Sequence, residues 1–167
     1  MSFDRPKELL KPVRRRFIYL SFALAILFNL LPLPTDTLLW LPDFLALLIL
    51  YWVINQPRRV SIGTAFVLGI IADVACTGMF GQHALAYSIT SYLALSRQRQ
   101  LVMFNLGQQA LAVLGLMFAN QLIMVMARMA TGSAFVGWSY FLPPLTGAIL
   151  WPLLTKLLLL PYRQHKV

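Results

Sequence analysis

The chain has 167 residues, of which 59% are hydrophobic and only 11% charged, with a net charge of +9. A soluble domain carries about 25% charged residues, so the composition excludes an ordinary soluble fold and points to a single integral membrane domain. The basic residues sit at the ends of apolar runs rather than on one helix face, which argues against nucleic-acid binding.

Residues 1–16 form a polar, basic leader expected to rest on anionic headgroups. The first apolar run, Phe17 to Leu31, ends at Pro32-Leu33-Pro34. A cleaved signal peptide would need its small-residue site after the run, whereas Ala23-Leu24-Ala25 lies inside it; an uncleaved anchor is the better reading. The second run, Leu38 to Ile54, carries Trp40 and Trp52 near its ends, where interfacial anchors belong.

The third run, Val60 to Cys76, is the most informative. Ala65, Gly69, Ala72, Asp73 and Cys76 fall on one helical stripe, all small except the carboxylate. A charge at the centre of a membrane helix costs roughly 2.5–3.5 kcal/mol. Asp73 should therefore lie shallow, be protonated, or face a partner. Small residues let another helix press close along that side, so the stripe is expected to be either a groove for a partner's helix or part of the bundle core. As a groove, it would lose its partner on Gly69→Leu substitution while the protein still inserted. Gly78 and Gly81 then bracket a tight turn.

The fourth run, Phe80 to Leu95, is short and polar, with His83, Ser88, Thr90 and Ser91, and calls for shielding by neighbours. The fifth, Leu101 to Ala127, is long and holds Asn105, Gln108, Gln109, Asn120 and Gln121. These amides suit interhelical hydrogen bonds, each worth about 0.6 kcal/mol, or alternatively the lining of a substrate pocket. Trp138 to Leu160 is the last run, and Pro143-Pro144 and Pro152 predict a kink within it. Residues 161–167 form a short tail.

The fold class is thus all-α, a six-span membrane bundle over residues 17–160. With the amino terminus cytoplasmic, the inner segments 1–16, 55–59, 96–100 and 161–167 hold twelve of the 14 basic residues, leaving Lys156 near a helix end and Arg128 outside. The positive-inside rule is then obeyed at every loop, with both termini cytoplasmic. At 1.5 Å per residue, Asp43 lies about 7–8 Å and Asp73 about 4–5 Å below the outer boundary. An outer-leaflet cluster of Asp43, Asp73 and Arg128 follows as an expectation. Asp43 after Pro42 also suits a helix cap.

Enzyme signatures are missing. Asp73 lacks a Gly-x-Gly-Asp context, and no Gly-x-Ser-x-Gly, HExxH or Walker A sequence occurs. The single cysteine and the two distant histidines give no metal-ligand spacing. Neither enzyme nor cofactor is expected.

Leu41-Pro42-Asp43-Phe44 leading to Tyr51-Trp52, then Pro57-Arg58-Arg59-Val60, Gly63, and Gly69-Ile70-Ile71-Ala72-Asp73 form an ordered series. It continues through Gly78, Gly81, Ala84-Leu85-Ala86, Tyr92-Leu93, Gln108-Gln109-Ala110-Leu111 and Leu150-Trp151-Pro152. This series resembles the rod-shape-determining membrane protein family MreD of Gram-negative bacteria over most of the chain. One departure is Leu41, where relatives often carry a basic residue. The resemblance implies a non-enzymatic inner-membrane scaffold of the cell-elongation machinery, serving lateral peptidoglycan synthesis. The partners it implies are the single-span protein MreC, MreB filaments, a SEDS glycosyltransferase and a class B penicillin-binding protein, alongside membrane lipids. A small-molecule carrier, similar to the six-helix substrate-binding components of vitamin transporters, is the alternative that size and topology leave open.

Overall fold

A computed structural model describes residues 13–31, 34, 40–75, 79–135 and 137–163, with side chains as far as residue 159. Among these, the chain is all-helical: α1 (Arg15–Asn29), α2 (Phe44–Asn55), α3 (Ile62–Ala75), α4 (Gln82–Ser96), α5 (Gln98–Met103), α6 (Leu106–Ala130), a 3-10 turn (Trp138–Phe141) and α7 (Pro143–Arg163). Gly78 and Cys76 of the expected turn and stripe lie outside the described residues, as do the first twelve residues of the leader and residues 164–167 of the tail.

Local chemistry sets where the helices begin. Asp43 is the N-cap of α2, its carboxylate accepting from the Ala46 N–H at 3.1 Å. Asn105 and Gln108 form a reciprocal capping box that starts α6. This overturns two sequence expectations at once. Asn105 and Gln108 bond locally rather than between helices, and the long fifth run is two helices, α5 and α6, parted at Phe104-Asn105. Pro143 and Pro144 open α7, where a missing N–H costs nothing, so they begin a helix instead of interrupting one. Pro152 lies inside α7, which runs on through Arg163.

The centre of the molecule is α2. Every residue from Leu45 to Ile54 is buried, as expected for a helix apolar on all sides. It packs against α1, α4, α5, α6 and α7. Trp52 is fully buried, its indole N–H donating to Ser21 Oγ at 3.0 Å. That corrects its expected place as an interfacial anchor: Trp52 is core, while Trp40 and Trp138 are the exposed indoles. The stripe on α3 is therefore one step from the centre, at the α3–α4 contact.

Outward faces are apolar. Tyr19, Leu20, Leu24 and Leu27 on α1, and Leu145, Ile149, Leu153 and Leu157 on α7, are all at least half exposed. Water would not tolerate such a surface; lipid does. Two helical segments, Leu106–Ala130 and Trp138–Leu159, are long and apolar enough to cross a membrane.

Candidate functional site

Polar side chains gather where α2, α3's carboxyl end, α4's first turns, the end of α6 and the 3-10 turn converge. Asp73 is the anchor. Its Oδ1 accepts from the His83 N–H at 2.9 Å and lies 2.8 Å from His83 Nδ1, while Oδ2 accepts from the N–H groups of Gly81 at 2.9 Å and Ala84 at 3.3 Å. Against an ionised carboxylate, Nδ1 must be the protonated ring nitrogen. The carboxylate thus closes the amino end of α4, whose first backbone N–H groups have no partner within their own helix. The positive end of that helix's dipole favours a negative charge there. These donors satisfy both oxygens of a residue that is only 2% exposed, which offsets the cost of burying so polar a group in an apolar bundle.

Gly69 makes this geometry possible. It precedes Asp73 by one turn on the same face, and a Cβ built there would lie 2.4 Å from Ala84 Cα and 2.5 Å from Ala84 N. Only a glycine lets the α4 backbone come near enough for the carboxylate to reach it. Ala65 and Ala72, on the same stripe, are both buried. At the turn, Gly81 has φ +92°, a left-handed conformation that a side chain disfavours. Within this chain, the helix pressed against Gly69 and Asp73 is its own α4.

Asp43 belongs to the same end. Besides capping α2, it accepts from the Tyr87 hydroxyl at 2.6 Å, and Tyr87 lies edge-on to His83 with ring centroids 5.6 Å apart. Asp73, His83, Tyr87 and Asp43 therefore form a continuous series linking α3, α4 and α2. Arg128 joins differently from the expected acidic cluster. Its Nε donates to Gln82 Oε1 at 2.9 Å, and its guanidinium sits 5.3 Å from the Tyr140 ring centre, a cation–π distance. Among the described residues, neither carboxylate pairs with it. The guanidinium nonetheless ties α6 to α4 and the 3-10 turn, supported by Gln121 Nε2 donating to Tyr140 O at 2.8 Å.

Gln82 and Tyr87 are absent from the sequence reading, and His83 enters it only as one of the polar residues of the fourth run. The signal for His83 was its place two residues past Gly81, in the first turn of a helix preceded by an unexplained carboxylate. Tyr87 follows it by one turn on the same side. Of the amides, Asn120 meets Thr90 at 3.4 Å, and Gln109 reaches Leu101 O and the Trp151 indole.

The arrangement positions helices. Both oxygens of Asp73 and both of Asp43 are occupied by donors from the fold itself. Among the described residues, no three His, Cys, Asp or Glu side chains group as a metal site would need.

Comparison with known proteins gives the frame for this architecture. The chain is 32% identical over 137 residues, 81% of its own length and 85% of the relative's, to the rod shape-determining protein MreD of Haemophilus influenzae. No solved structure matches. A family model described as rod shape-determining protein MreD matches residues 12–160. With nearly the whole chain covered, the protein belongs to the MreD family.

Proposed function

We propose that this chain is a six-span, non-enzymatic scaffold of the bacterial inner membrane, with both termini cytoplasmic, acting within the elongation machinery that gives the cell its rod shape. The family supports the role in rod-shape determination. The observation that carries the scaffold reading is the engagement of two carboxylates, buried Asp73 and half-buried Asp43, in holding helix starts, which gives the polar groups a structural task. The six spans follow from the apolar runs and the placement of basic residues at one end. Arg15, Arg58, Arg59, Arg97 and Arg99 lie at helix ends opposite to those that carry Asp43, Asp73 and Arg128.

Partners in this reading are MreC, through its single membrane helix, and the peptidoglycan synthase pair of a SEDS glycosyltransferase and a class B penicillin-binding protein, with MreB filaments on the cytoplasmic side. Because α4 closes over Gly69 and Asp73, the exposed apolar faces of α1 and α7 are the docking surfaces this reading assigns to a partner helix. Depletion tests the role: loss of rod shape without a nutrient requirement supports the scaffold, and a specific uptake defect with normal shape refutes it in favour of a carrier. Cysteine crosslinking tests the surface. Partner crosslinks are expected from positions 24 and 153 and not from position 65; the reverse pattern would return the stripe to an open groove. Reporter fusions at residue 132 and at the carboxyl terminus test the topology, with an external and an internal signal expected, respectively.

A further inference from the structure

A cavity of about 210 Å³ opens between the start of α1 and the loop joining α2 to α3, far from the acidic end. Its rim is cationic: Arg15, Arg58 and Arg59 all line it. Arg59 donates from Nη1 to Val13 O, pinning the entry of α1 to the loop. Among the described residues, none of the three guanidinium groups pairs with a carboxylate, and no lining residue is acidic. Ile18, Phe22 and Val60, all buried, and the outward-facing Tyr19 supply its apolar lining, beside Thr64. Ile18 and Phe22 follow Arg15 by three and seven residues, so the cavity runs from the charged belt to about 10 Å deeper along α1, at 1.5 Å per residue.

Charge at the mouth and hydrocarbon beneath it match one kind of molecule. Arginine forks bind phosphate oxygens with two parallel hydrogen bonds, and a basic pocket beside membrane helices on the cytoplasmic side suits an anionic headgroup. The volume equals about seven waters at roughly 30 Å³ each, enough for a phosphodiester and its glycerol. We propose that this cavity is a binding site for the phosphate of an anionic glycerophospholipid, with Arg15 and Arg58 holding the headgroup and the α1 face of Tyr19 and Phe22 receiving the upper acyl chain. The assignment rests on the reading that this end faces the cytoplasmic leaflet; the binding itself is measured independently of orientation.

The test uses the full chain purified in neutral detergent, titrated with phosphatidylglycerol, phosphatidylcholine or inorganic phosphate and read by native mass spectrometry and thermal shift. Phosphatidylglycerol should bind about tenfold more tightly than phosphatidylcholine, and Arg15→Gln and Arg58→Gln should each weaken it roughly fivefold. Arg58→Lys should recover part of the loss, and Arg97→Gln, at the same end but outside the cavity, should leave binding unchanged. Equal binding of the two lipids, or equal losses in Arg97→Gln, would overturn the site as a specific one. Inorganic phosphate binding as tightly as the lipid would show that the anion alone is the ligand, and would overturn the acyl-chain half of the assignment. Reporter fusions that invert the topology while these results hold would refute only the leaflet.

Discussion

The two ends of this bundle handle charge in opposite ways. At one end, two aspartate side chains turn inward, and backbone N–H groups, a histidine and a tyrosine surround them within 2.6–3.3 Å. At the other end, Arg15, Arg58 and Arg59 surround an open cavity without a carboxylate partner among the described residues, and the bonds that tie the elements there end on backbone carbonyls, such as Gln98 Nε2 to Ile54 O at 3.0 Å and Arg59 to Val13 O. A carboxylate is short and desolvated at once when it leaves water, so a membrane protein must satisfy it with its own donors. An arginine is long enough to keep its charge in the headgroup layer while its stem lies on hydrocarbon. The first end therefore contributes to folding, and the second to the relation between protein and lipid.

Substitutions that remove the inward charge should have the largest effect. Asp73→Ala strips four contacts from the start of α4 and should destabilise the purified protein by roughly 3 kcal/mol or more, seen as a lower midpoint in thermal unfolding. Gly69→Ala drives a methyl group against the Ala84 backbone and should cost about 1–3 kcal/mol; Gly69→Leu should prevent α3 and α4 from packing, so that loss of the folded protein precedes any loss of a partner. Tyr87→Phe leaves one Asp43 oxygen without its hydroxyl donor and should cost about 1–2 kcal/mol in the same measurement. Asn105→Ala removes the capping box of α6 and should cost about 1 kcal/mol. At the opposite end, Arg58→Gln should move the unfolding midpoint in neutral detergent by the equivalent of less than about 0.5 kcal/mol, as for an exposed surface substitution. A large shift there would erase the distinction between the ends.

Much of this architecture was legible in the chain. The apolar runs locate the helices because hydrocarbon demands long apolar stretches, and Pro42-Asp43 announces a helix start by its chemistry alone. The spacing of Ala65, Gly69, Ala72 and Asp73 signals a close backbone approach, and at Gly69 the α4 backbone comes that near. What it withholds is the identity of the neighbour, since a helix from the same chain and one from a partner place the same demand on the stripe. Trp52 misleads for a related reason: an indole near the end of an apolar run satisfies the pattern of an interfacial anchor and of a core residue alike, and only Ser21, 31 residues away, decides between them. Asn105 and Gln108 carried a readable capping signal, three residues apart, but within a long apolar run their amides suggested contacts between helices instead. The Arg128–Gln82 contact was out of reach, because net charge argues for a carboxylate partner where the structure supplies an amide and an aromatic face.

The most direct test is the thermal unfolding of the full chain carrying Asp73→Ala, purified alone in neutral detergent beside the unaltered protein. A marked fall in the midpoint without any partner present is the predicted result, because the carboxylate holds α3 to α4 within one molecule. An unchanged midpoint, with the defect emerging only as lost association with another membrane protein, would contradict it.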